Sequence, residues 1–232
     1  MPAFERGRSL GYDVLDRHEH GFGWIAHPFE AGRRASHAIR TDRAIWLIDP
    51  LWAPDVTSEI DTLDGSVAGV LVCSAYHARD ADRFARHYDV DVWALAGARR
   101  IDRHLAAPVR TDAPSLEAIE VTHSRPFPGW SEAFLYWPDR GTMYVPEALG
   151  TVDAFTVGRE RLGLHLARRL APPRELLEWD ASRVLVGHGP GIDDGVTAAL
   201  EDALLAGPRR LPRAMAANGP TTLRSGVSAL IG

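Results

Sequence analysis

The passage Gly69–Asp82, GVLVCSAYHARDAD, constrains this chain more than any other. Its continuous apolar run, Val70–Cys73, is bounded by turn-forming residues and reads as a buried strand. The strand breaks into a polar loop, Ser74–Asp80. The spacing after it predicts a helix over Asp80–Tyr88, with Phe84, Ala85 and Tyr88 on one face. A loop at the carboxyl end of a buried strand is a usual place for chemistry in α/β proteins. This one offers the hydroxyl of Ser74, the phenol of Tyr76, the imidazole of His77, the guanidinium of Arg79 and the carboxylate of Asp80. A second passage has the same form: strand Arg183–Val186, then Gly187-His188-Gly189-Pro190, then helix Val196–Leu205. Glycines on both sides of His188 let the backbone turn sharply and present the imidazole to a cavity.

Other elements follow from pattern. Phe22–His27, Ser36–Arg40, Ala44–Asp49, Asp89–Leu95 and Ala118–His123 read as strands, and Asp49-Pro50 ends the third of these because proline cannot continue a ladder. Ala133–Trp137 and Thr142–Val145 flank Pro138-Asp-Arg-Gly141, a hairpin signal. Helices are predicted over Val56–Leu63, Ala98–Leu105, Arg159–Leu170 and Arg174–Trp179. Residues 1–20 are polar and read as irregular. The order of elements predicts mixed sheets covered by helices. One domain over 1–206 is expected, with a partly ordered tail over 207–232.

Composition narrows function. A net charge of -5 and a pI near 6.0 argue against nucleic-acid binding, while the absence of lysine among the 26 basic residues is read as genome composition rather than function. The single cysteine, Cys73, excludes an intrachain disulfide and a cysteine-based zinc cluster. The opening residues lack the apolar stretch of a secretory signal, and no apolar run is long enough to span a bilayer, so no membrane partner and a cytoplasmic location are expected. The pair His18-Glu-His20 is read as solvated. His27, His37 and His123 fall near strand ends, with His123 a spare candidate ligand. His87, His104 and His165 read as surface or packing residues.

Taken in order, these motifs resemble the metallo-β-lactamase fold superfamily. Ala44–Asp49 is similar to its first hydrophobic strand ending in aspartate. Val70–Asp80 resembles the strand entering its T-H-x-H-x-D-H metal loop. Phe127-Pro-Gly-Trp130-Ser131 resembles its T-P-G-H-T segment, Tyr144-Val-Pro-Glu147 its strand ending in Gly-Asp, and Val184–Pro190 its last strand with G-H-G-P. The resemblance implies a four-layered αββα sandwich of two mixed sheets flanked by helices, an α/β architecture with its site at one edge. It also implies hydrolytic or redox chemistry, mostly on two zinc or iron ions.

The departures from that pattern are specific. Ala75, Arg79 and Asp80 stand where the metal loop has histidine, aspartate and histidine. Trp130 stands where the next histidine belongs and Glu147 where the bridging aspartate belongs; His77 and His188 remain. A catalytic zinc typically needs three protein ligands and an open position. One ion of the pair would keep only His77. The other would have Asp80, Glu147 and His188, with His77 nearby, a set suited to one zinc, iron or manganese ion. Against it, Arg79 brings a fixed positive charge, which could bridge Asp49, Glu147 or Asp80 in the metal's place. The expectation is therefore a metal-poor binding or regulatory protein with no cofactor and a small-molecule ligand. Its pocket would comprise Asp49, Ser74, Tyr76, His77, Arg79 and Trp130. The alternative is a mononuclear metal-dependent hydrolase using Asp80, Glu147 and His188. A homodimer is compatible with the tail.

Overall fold

The strands run in two principal sheets, and the alternation of side chains along them sets the layers. The computed structural model describes residues 4–5, 7–42, 44–97, 105, 109–111 and 119–218. The first sheet has seven strands in chain order: β1 (Asp13–His18), β2 (Gly21–Ile25), β3 (Ala35–Thr41), β4 (Ala44–Ile48), β5 (Ser66–Val72), β6 (Val92–Ala94) and β7 (Val109–Arg110). Pairing is antiparallel from β1 to β4 and parallel from β4 to β7. The second sheet is built from β8 (Glu120–Ser124), β9 (Glu132–Trp137), β10 (Thr142–Val145) and β13 (Arg183–Val186), in the order β13-β10-β9-β8. Only the β10–β13 pairing is parallel. A short ladder joins β11 (Leu149–Gly150) to β12 (Gly163–Leu164).

Successive residues of a strand face opposite sides of its sheet. Leu47, Val70 and Val72 therefore join Phe22, Trp24 and Phe84 in one core on the outer face of the first sheet. Helices α1 (Val56–Ile60) and α2 (Ala81–Tyr88) cover that face. Ile48, Leu71 and Cys73, one step out of phase, pack against Leu135, Trp137, Tyr144 and Leu185 between the sheets. On the far side Val184 and Val186 pack under Val196, Leu200 and Leu204, which begin in α3 (Val196–Glu201). The layers are thus helix, sheet, sheet, helix: the four-layered αββα sandwich of two mixed sheets. Among the described residues no helix is long and apolar enough to cross a membrane.

Several elements differ from their sequence expectation. Strand β1 forms where residues 1–20 read as irregular, because an edge strand with mostly exposed or half-exposed polar residues carries no apolar alternation. The helix expected over Arg159–Leu170 is instead strand β12 followed by a single 3-10 turn, Ala167–Arg169. Gly163 packs too tightly against the backbone of Phe155 to leave room for a side chain, and pairing with β11 overrides the helical spacing. Arg174–Glu178 is likewise 3-10 rather than α. Helical structure continues from α3 through residue 218, past the boundary expected at 206; Ala214 is fully buried and the Asn218 amide donates to Ala154 O and Thr156 O. The helix expected over Ala98–Leu105 lies, Leu105 apart, outside the described residues, as do His104 and residues 219–232.

His37 on β3 is buried between the sheets. Its Nε2 lies 3.0 Å from Val186 O, its Nδ1 has no partner, and its ring meets Tyr144 edge-on at 5.3 Å. Burial pushes its pKa down to about 4, outweighing the hydrogen bond to Val186. A folded-state pKa below the unfolded value means that this stability is present above pH 6.5 and drains away as pH falls towards 4. The full amount is about 3 kcal/mol for a shift from 6.5 to about 4. Urea midpoints measured at pH 7 and pH 5 should therefore lie closer together in His37→Gln than in the native chain; an unchanged gap would remove His37 from the acid response.

Candidate functional site

Four strand ends meet at one edge of the sandwich, and each delivers a charged or titratable group. Asp49 follows β4, Ser74–Asp80 follow β5, Glu147 follows β10 and His188 follows β13. Asp49 is fully buried and fully used. Its Oδ1 accepts the Cys73 N–H at 2.8 Å, and its Oδ2 accepts the Tyr144 hydroxyl at 2.5 Å and lies 2.8 Å from His77 Nδ1. His77 therefore presents its other nitrogen: Nε2 sits 2.7 Å from Glu147 Oε1. An N···O separation that short requires a proton between the atoms. Burial and the nearby Arg79 charge both push the His77 pKa down, but the carboxylates of Asp49 and Glu147 outweigh them and hold it above its ordinary value. Glu147 is the counterpart: burial alone would raise its pKa, yet His77 and His188 hold it well below the usual carboxylate range. The arrangement is an imidazolium between two carboxylates.

Arg79 turns inward. Its Nη1 donates to Ala35 O at 2.5 Å and Asp49 O at 2.7 Å; its Nη2 donates to Gly187 O at 3.3 Å and lies 3.1 Å from His77 Nε2. The guanidinium is thus tied to backbone carbonyls of three segments and lies beside the His77 imidazolium. Direct pairing with Asp49, Glu147 or Asp80 carboxylates, the sequence expectation, is not what holds it among the described residues. Its φ of 44° lies in the left-handed region, which costs a non-glycine residue on the order of 1 kcal/mol. The hydrogen bonds of the inward side chain hold that geometry in place.

Asp80 does not join the site. Its carboxylate accepts the Trp52 N–H at 2.8 Å, and its backbone begins α2. Of the expected ligand set Asp80, Glu147, His188 and His77, the last three bring ligand atoms within 4.8 Å of one another, and Asp80 is not among them. His188 Nδ1 lies 2.8 Å from Gly32 O. Its Nε2 is buried without a hydrogen bond, 3.6 Å from Glu147 Oε2, and Phe155 stacks on the ring at 5.2 Å. Ser74 is buried, with Oγ 3.4 Å from Glu147 Oε1; a carboxylate held so acidic is a poor base for activating that hydroxyl. Tyr76 is exposed and donates its hydroxyl to Gly129 O at 3.0 Å. His123 is exposed on β8 and has no place in this cluster.

Trp130 packs edge-on against His165 at 4.9 Å and donates its indole N–H to Glu132 Oε1 at 2.7 Å. Sequence reasoning missed Glu132. Fully buried on β9, it accepts the backbone N–H groups of Glu147 (3.1 Å) and Ala148 (2.9 Å) on Oε2, so it sets the turn that aims Glu147. Burial pushes its pKa up to about 7, against the opposing pull of Arg168, whose Nε lies 3.6 Å away, and of the Trp130 indole. The available signal was a lone acid opening the apolar run EAFLYW.

Two imidazoles and one carboxylate form a donor set that suits zinc, iron or manganese. Arg79 lies beside this set. His77 Nε2, the atom that would have to ligate, is engaged by Glu147 and has a guanidinium nitrogen 3.1 Å away. The charges of Asp49 and Glu147 are already matched by His77 and Arg79.

No family model matches the sequence, and no curated protein sequence matches it. Solved structures do. A metallo-β-lactamase from Hirschia baltica superposes with a TM-score of 0.59 at 13% identity, covering 82% of this chain and 96% of that one. The metallo-β-lactamase FIM-1 from Pseudomonas aeruginosa, in its mono-zinc form, gives 0.57 at 14% identity, with 90% and 99% covered. A metallo-β-lactamase from Pontibacter korlensis gives 0.57 at 17% identity, with 82% and 99% covered.

Proposed function

We propose that this chain, which has the metallo-β-lactamase fold, uses that scaffold as a metal-poor binding protein for a small molecule, with a fixed internal charge network where the fold's metal centre would lie. The observation that carries this reading is the position of the Arg79 guanidinium, 3.1 Å from His77 Nε2. A divalent ion on that nitrogen would displace its proton, break the contact with Glu147 and sit against a permanent positive charge. Within the cluster, Asp49 orients His77, His77 and Arg79 neutralise the buried carboxylates, and Glu132 holds the backbone that aims Glu147. A cytoplasmic location and a small-molecule ligand belong to this reading.

One observation favours a second reading, a single-metal hydrolase on His77, Glu147 and His188: among the described residues the buried Nε2 of His188 has no hydrogen-bond partner. Elemental analysis of the purified protein, with melting curves under zinc, iron or manganese loading and under chelator, separates the two. The expected result is no retained metal and no shift in melting temperature, since an ion that binds only the folded state must raise it. Near-stoichiometric metal, with a melting temperature that falls under chelator, would establish the second reading in place of the first.

A further inference from the structure

Phe4 and Glu5, ahead of β1 in the chain, lie beside the site. Phe4 places its ring 6.5 Å from the ring of His188, tilted by 57°. The Arg34 guanidinium lies over the other partner of that contact, 5.4 Å from the Phe4 ring centre. Glu5 is clipped at both ends of its peptide unit: its N–H donates to Glu30 Oε2 at 2.9 Å and its carbonyl accepts from Arg34 Nη2 at 2.8 Å. Its carboxylate lies 3.3 Å from His27 Nδ1. Glu30 is fully buried and grips Arg34 through Nε at 2.7 Å and Nη2 at 2.8 Å.

The same loop holds His188. Gly32 O faces His188 Nδ1, the Gly189 N–H donates to Arg33 O at 2.9 Å, and the Ala35 N–H donates to Gly187 O at 2.9 Å. Residues 30–35 thus carry a clip for Phe4 and Glu5 on one side and the His188 turn on the other. Phe155 covers His188 by stacking and Phe4 adds a second aromatic contact, leaving Nε2 buried and without a hydrogen bond. Among the described residues Nε2 meets only the Glu147 carboxylate, at 3.6 Å and beyond hydrogen-bond distance, so a group admitted there would find hydrogen-bonding capacity unfilled.

We propose that Phe4 and Glu5 form a latch that closes the His188 side of the site, and that release of Glu5 from the Glu30–Arg34 pair, taking Phe4 off His188 and Arg34, is what opens Nε2 to a ligand. The inference rests on the small-molecule reading proposed above and adds His188 to its site as a ligand-facing group.

Acylation of histidines by diethyl pyrocarbonate, followed residue by residue by mass spectrometry on the full chain without added metal, tests it. In the native chain His188 should react more slowly than the exposed His123. In the double variant Phe4→Ala/Glu5→Ala it should react about tenfold faster, a change equivalent to about 1.4 kcal/mol in the opening equilibrium. His123 should not change, and the core residue His37 should stay unmodified. Phe4→Leu, which keeps an apolar cover, should restore slow reaction. An unchanged His188 rate in the double variant, native reaction as fast as that of His123, or His37 reacting together with His188 would each overturn the latch. Metal retained by the native chain would count against the proposed function and leave these rates as the test of the latch.

Discussion

Arg79→Ala should lower the melting temperature and make the chain responsive to zinc. Removing one member of a buried charge network typically costs about 3 kcal/mol or more, because its partners stay behind uncompensated. Here those partners include the carbonyls of Ala35, Asp49 and Gly187 and the charge of Glu147. At about 2–4 °C per kcal/mol for a chain of this size, the fall is about 6–12 °C. His77, Glu147 and His188 would then stand without a competing cation, as two imidazoles and a carboxylate. Zinc at about a hundred times its dissociation constant returns about 2.7 kcal/mol, most of the loss. Calorimetry with and without zinc on the native and variant chains reads both effects. A variant that melts lower yet ignores zinc, beside a native chain that responds to it, would show that Arg79 is not what excludes the ion.

Asp49→Asn and Asp80→Asn should separate sharply, although both aspartates follow or flank the same pair of strands. Asp49 holds Cys73, His77 and Tyr144 through one fully buried carboxylate. Burial opposes its ionised form, but His77, Arg79 and the Tyr144 hydroxyl hold its pKa below the ordinary value. An amide in its place removes a buried negative charge opposite two positive ones, a loss of about 3–5 kcal/mol. Asp80 makes a half-buried hydrogen bond to the Trp52 N–H, worth about 1 kcal/mol. Chemical denaturation of both variants measures the difference. Equal losses would mean that Asp49 is not the keystone of the site.

The sequence carried the layered fold because its strongest signals are local. Strands β4, β5, β10 and β13 are apolar runs closed by Asp-Pro, by the polar loop after Cys73, or by glycine-rich turns, and each of those closures reads directly. Strand β1 lacked such a run, and β12 hid inside a spacing that also suits a helix, so tertiary pairing alone fixes them. At the site, His77, His188, Glu147 and the inward turn of Arg79 follow from position in a motif. The partners of Arg79 do not, because they are backbone carbonyls of Ala35, Asp49 and Gly187, and a carbonyl has no residue-type signature. The same blindness hid Glu132, whose role is to gather the N–H groups of a turn fifteen residues away. Asp80 was misplaced for the opposite reason: its residue type suits a ligand, while the first turn of α2 directs it to Trp52.

The backbone at Asp49 and Arg79 has a consequence for how this chain can vary. Both residues sit in left-handed conformations, with φ of 46° and 44°, where glycine would be the relaxed choice. Yet glycine at either position would strip away one sign of charge and strand the other. The two positions are therefore tied as a pair: easing the chain at one leaves the opposite charge in the cluster unmatched. A single substitution at either position leaves the opposite charge unmatched, which is the loss that Arg79→Ala and Asp49→Asn measure.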